Sequence, residues 1–202
     1  MVKNLYLKIP RRMRILIIFL LIVAAVWLII KMLTPDAKNT PKEFLETRQE
    51  ASLIAKDIID ISSRTAENIK KISDLDKNKE YTEALNLISE ELNNNRKARE
   101  NAIKLSSQLE TMAKNVSSIS PASAGQTAIQ AISSETALIS RLINYNDYLI
   151  NLLEILQAKF LEKEKNSNEK IIELIGKIND EAKAINDLNN NFNSLMSEFD
   201  KI

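Results

Sequence analysis

Residues 162–170 read EKEKNSNEK, nine polar side chains in a row between two long apolar-striped segments. How this stretch is read decides the fold. As a turn, it lets the flanking segments fold back on one another. As continuous helix, it makes them one rod of about 75 residues, roughly 110 Å long at ~1.5 Å per residue. Asn166, Ser167 and Asn168 suit a helix start, because short polar side chains satisfy the free N–H groups of a first turn. No Pro or Gly enforces a stop, so the rod stays open as an alternative. A rod would leave half its apolar stripe in water unless two copies paired, which favours the turn.

Downstream of the joint the pattern is nearly heptad. Ile171, Ile178, Ile185, Phe192 and Phe199 hold one seam position; Leu174, Leu188, Leu195 and Ile202 hold the other, interrupted by Glu181. Sustained seven-residue spacing favours a supercoiled contact with a neighbouring helix. Upstream runs a stripe from Ala128 through Leu138, Leu142, Tyr145, Leu149, Leu152 and Leu156 to Phe160. Before it, SSISPASAGQ (117–126) gathers one Pro and one Gly among small polar residues, a clear turn signal. A further stripe covers Leu85, Ile88, Leu92, Leu109 and Met112, preceded by SDLDKNKE (73–80). The earliest stripe runs from Phe44 through Ile58 to Ile72, opened by Thr40-Pro41-Lys42-Glu43 with Thr40 placed to cap and Pro41 in the first turn.

These signals predict helices over about 41–73, 79–118, 123–163 and 168–200. With short connections they predict an all-α fold, an elongated antiparallel four-helix bundle of coiled-coil character, roughly 50–60 Å long. Gly occurs twice and Pro four times in 202 residues, too few for the regular turns of a β-rich chain.

Ahead of the bundle stands a different kind of segment. Ile15 to Ile30 is sixteen residues without a charged or strongly polar side chain, and Lys31-Met32-Leu33 extends it. Residues 15–33 cover about 28 Å as a helix, close to the ~30 Å hydrocarbon core of a bilayer. Lys31 can run its stem along lipid and Trp27 suits the interface. The segment therefore reads as a transmembrane helix acting as an uncleaved signal anchor. A cleaved signal peptide is the competing reading, with Val23-Ala24-Ala25 as a cleavage context, but the cut would leave an apolar VWLIIKML at the new terminus. Lys3, Lys8, Arg11, Arg12 and Arg14 precede the span with no acid among them. Basic flanks stay inside, so the reading is a single-pass protein of the cytoplasmic membrane, with residues 1–14 inside, 34–40 as tether and 41–202 outside.

The net charge of +1 conceals a split: residues 34–202 hold twenty-two Lys and Arg against twenty-seven Asp and Glu. A mildly acidic bundle offers no footprint for nucleic acid. The chain has no His and no Cys, which removes His-based triads, thiolate nucleophiles and the usual zinc and di-iron ligand sets. No catalytic residues, metal ligands or cofactor are therefore predicted.

The unusual stretch is RLINYNDYLINLLE (141–154), mixing aromatic, amide and acidic residues in mid-helix. Pairing the helices about residues 76, 121 and 166 brings Arg96, Arg99, Tyr145, Asn146 and Asn186 to one height. One reading is a polar layer that sets helix register. The other is a small-ligand pocket in which Arg96 or Arg99 holds an anion and Tyr145 stacks or hydrogen-bonds. In function the chain reads as a structural or interaction protein of the cell envelope, held to the bilayer through 15–33 and binding protein partners or itself. The alternative is a ligand-sensing module with a separate signalling partner, since such an anchored bundle resembles, in architecture, the outer domains of bacterial chemoreceptors.

Overall fold

An apolar stripe on a helix must be covered by another helix, and the four stripes of this chain cover one another. The computed structural model describes residues 40–162 and 167–202. Among them are four helices: α1 (Lys42–Asn78), α2 (Tyr81–Asn115), α3 (Ala122–Phe160) and α4 (Ser167–Phe199). A single 3-10 turn, Val116–Ser118, follows α2. There is no strand among the described residues. The longest helix, of 39 residues, spans roughly 58 Å at ~1.5 Å per residue. The expected membrane segment, residues 15–33, the basic leader and most of the tether lie outside the described residues. Among those described, no helix is long and apolar enough to cross a membrane.

The direction of α4 removes the rod. Ser134 donates to the Leu188 carbonyl and Arg141 pairs with Glu181, so α3 and α4 run antiparallel side by side. Between α1 and α2, Asn68 donates to Glu91 and Asn95 donates to Thr65. Continuing that register toward the chain's start brings Thr40 level with Ser120, in the α2–α3 turn. Arg99 pairs with Asp147 across α2 and α3.

Small residues let the helices approach closely. Ala98, Ala102, Ala124, Ala128 and Ala131 are buried, and around them pack Leu105, Leu109, Met112, Leu138, Leu142 and Ile185. Full burial of one such Leu or Met is worth about 1.5–3 kcal/mol, so this seam dominates the stability. At the end holding the chain's start, Phe44 meets Phe199 with ring centroids 5.9 Å apart. Arg48 there forms a two-pronged pair with Asp200, at 3.0 and 3.1 Å. At the opposite, distal end the core changes membership: Ile72, Ala84, Ile88, Leu92, Leu153 and Phe160 form a cluster of α1, α2 and α3 alone.

Helix ends depart from the sequence signals in two places. Pro41 takes the cap position of α1 and no side chain caps it; the Thr40 hydroxyl is buried without a partner. With Pro41 at the cap, Thr40 stands one residue too early to reach the first turn's N–H groups. α1 also continues through SDLDK to Asn78, because Ile72 and Leu75 still pack against the distal core. It ends on Lys79 in the left-handed conformation (φ 62°), with Lys79 N–H donating to the Asp76 carbonyl and Glu80 N–H to the Leu75 carbonyl. That arrangement usually employs glycine, and a side chain there costs about 1 kcal/mol. Lys79→Gly should therefore raise the stability by up to about 1 kcal/mol, read as a higher urea midpoint with unchanged slope.

Candidate functional site

A polar side chain inside a helical bundle must find a partner on a neighbouring helix, and where it finds one sets which residues meet. The buried polar groups of this chain fall into separate pairwise seams. Between α1 and α2, fully buried Glu91 accepts from Asn68 at 2.8 Å and from Asn94 at 3.1 Å, while Asn95 donates to Thr65 and to the Glu91 carbonyl. Between α3 and α4, Glu181 accepts from Arg141 and Asn144, each at 3.4 Å. Asn189 is fully buried and its amide has no partner among the described residues.

Of the five residues predicted to share one layer, Arg99 stands level with Tyr145 and Asn146, as its pair with Asp147 shows, but no hydrogen bond or ion pair among the described residues links any two of the five. Arg99 reaches Asp147 at 2.8 Å, but both side chains are nearly half-exposed, 42% and 45%. Such a pair contributes about 0–1 kcal/mol. Arg96 lies on the exposed face of α2. Asn146 is buried and donates back along its own helix to the Leu142 carbonyl. Asn186 is half-buried with its carbonyl oxygen unpartnered. Because Arg141 faces Glu181, the α3–α4 register places Asn186 about ten residues from the level of Asn146, roughly 15 Å along the axis. The joint at 162–170 does not act as a symmetric pivot, and α3 already ends at Phe160.

Tyr145 alone of the five lines a cavity. A groove of about 520 Å³ opens between α1, α3 and α4 in the distal half. Its walls are Ile69 and Ile72 from α1, Leu149, Leu152, Leu156 and Phe160 from α3, and Ile171, Ile175 and Ile178 from α4. Thr65 and Tyr145 stand at its inner end, and Lys70, Lys77, Asp74, Asp76 and Lys159 edge it. A space of this size with apolar walls and few polar groups has the proportions of a small-molecule site. The individual stripes do not reveal it. Ile69, Ile171 and Ile175 are ordinary stripe positions in sequence, half-buried here because α4 leans on α3 and leaves α1 uncovered. Tyr145 is 4% exposed, and burial pushes its phenol above the ordinary range.

A second, smaller cavity of about 40 Å³ lies nearer the chain's start, bounded by Arg48, Ser52, Leu109, Glu135, Phe192 and Met196. It has room for one water. Glu135 is buried there, with one carboxylate oxygen unpartnered. Burial raises its carboxyl from 4.5 to about 7. No group of three or more acidic residues among those described is placed to hold a metal ion.

Comparison with protein-family models, with curated proteins and with solved structures finds no match to this chain.

Two outcomes follow from this geometry. The folded state holds the Glu135 proton more tightly than the unfolded chain does, so stability falls as pH rises from about 4.5 to about 7 and levels off above. The loss is a few kcal/mol. Denaturation at pH 5 and pH 8 should show that loss, and Glu135→Gln should flatten it. Tyr145→Phe keeps the buried ring and removes only a hydroxyl at the edge of the groove, so it should change the stability by no more than about 1 kcal/mol. A drop of several degrees would mean that the hydroxyl has a protein partner.

Proposed function

We propose that this chain is a single-pass, membrane-anchored helical-bundle protein of the cell envelope. It acts as a structural or protein-interaction module and not as an enzyme. The observation that carries this reading is the apolar run of 15–33 behind five basic residues, joined by a short tether to a bundle of four amphipathic helices. A basic-flanked apolar segment of that length partitions into a bilayer with its N-terminus inside. The geometry of the bundle suits such an anchor. Thr40, the α2–α3 turn and the α4 C-terminus all gather at one end, by the Thr65–Asn95 register and the Arg48–Asp200 pair. The α1–α2 turn and the end of α3 then project away from the membrane by most of the helix length. Partners are met there or along the sides, and they are proteins, a second copy included.

The second reading, a sensing module that works with a separate signalling partner, is favoured by one observation, the groove between α1, α3 and α4. Of the residues first assigned to a ligand, Tyr145 lines it, while Arg96, Arg99, Asn146 and Asn186 do not.

Protease added to spheroplasts should digest residues 40–202 and leave a small protected fragment containing 15–33. The membrane-bound protein should retain residue 1 or 2 as its terminus. Full protection of the bundle, or a mature chain beginning near Val26, overturns the anchored reading.

A further inference from the structure

We propose that Glu135 triggers a conformational switch at the proximal end of the bundle. When Glu135 loses its proton, the Arg48 guanidinium leaves Asp200 for the Glu135 carboxylate, and the last turn of α4 comes away from α1. The inference concerns the bundle alone and does not rest on the anchor at 15–33.

One arginine stands between two acids. Arg48 and Glu135 line the same cavity of about 40 Å³, a gap with room for one water. Arg48 holds Asp200 through two nitrogens, at 3.0 and 3.1 Å. Glu135 is 5% exposed, and its Oε2 is buried without a partner. The long flexible stem of an arginine can carry its fork across a water-sized gap while the backbone stays in place. The other walls offer Glu135 no charge. α2 faces the cavity with Leu109 and Met112, and α4 with Phe192, Asn193 and Met196, none of them titratable. From α1 the charged group is Arg48.

The balance between the two acids turns on water. A protonated Glu135 is neutral and asks little of its apolar neighbours. Its carboxylate, shut away from solvent, is costly unless a guanidinium stands beside it. Asp200 can give up its partner more cheaply. Its side chain is already 21% exposed at the end of α4, and water takes over its oxygens as the last turn moves out. Arg48 therefore belongs with Asp200 while Glu135 is neutral and with Glu135 once it is ionised. Burial raises the Glu135 carboxyl to about 7, so the exchange falls between pH 5 and pH 8. The closed form holds the proton more tightly, so rising pH opens the clasp and acid restores it. Pairing with Arg48 stabilises the ionised form, which sets the midpoint no higher than about 7.

The test uses the full chain in detergent micelles. The chain has no Cys, so nitroxides attach only at Gln49→Cys and Glu198→Cys, exposed positions beside the clasp. Double electron–electron resonance should give one narrow distance at pH 5 and a longer, broader distribution at pH 8, reversible on acidification. Glu135→Gln copies the protonated side chain and should keep the narrow distance at both pH values. Difference infrared spectra, wild type minus Glu135→Gln, follow the Glu135 carboxyl itself. Arg48→Leu should raise the pH at which that carboxyl ionises by about 1 or more, because a neighbouring cation lowers a carboxyl by about 1–3. Asp200→Asn weakens the competing pair and should lower it. A distance that does not change with pH overturns the switch, as does a change that persists in Glu135→Gln. A Glu135 titration indifferent to Arg48→Leu and Asp200→Asn overturns the exchange of partners.

Discussion

The first and last helices of this chain are joined at one end, and the shape of the whole bundle follows from that clasp. Phe44 against Phe199 and Arg48 against Asp200 tie α1 to α4 beside the chain's start. A two-pronged guanidinium–carboxylate pair is geometrically demanding, and this one is shielded, with Arg48 only 9% exposed. Removing either partner would leave a poorly solvated charge, which is more damaging than losing a surface ion pair. Arg48–Asp200 and Phe44–Phe199 stand at the proximal end of the α1–α4 side. The distal core closes with three helices, and α4 continues on α3 alone. The groove is the space left by that arrangement.

The polar interior is consistent with this division of labour. Glu91, Asn95 and Thr65 lock α1 to α2; Glu181, Arg141 and Asn144 lock α3 to α4. Each pair of helices thus has its own register device, and the alanine seam joins the two hairpins. The buried Glu135, in contrast, sits where all four helices meet, beside the clasp, so its protonation bears on the closed end and leaves the groove residues untouched.

The candidate site was only partly legible beforehand. Tyr145 stood out as an aromatic residue among amides and acids, and it lines the groove. Its supposed companions did not follow. Arg96 is exposed and Asn186 lies at another height, because the α3–α4 register follows the Arg141–Glu181 and Ser134–Leu188 contacts and not a midpoint drawn through a polar loop. Ile69, Ile171 and Ile175 carried no signal, since a residue on an apolar stripe reads alike whether a neighbour covers it or leaves it facing a cavity.

By itself, the sequence determined that the chain after residue 40 is helical and that its helices must pack on one another. Stripes at helical spacing, scarce Gly and Pro, and the absence of disulfide chemistry admit little else. It also shows that residues 15–33 are apolar but for Lys31. Only the tertiary structure decided that α3 and α4 part at the polar joint, how far each helix slides against its neighbour, and where the bundle fails to close. The reason is physical. Periodicity records which face of a helix is apolar, a local property of 3.6 residues per turn. Register and crossing depend on contacts between residues as distant as Arg48 and Asp200, and no local pattern encodes those.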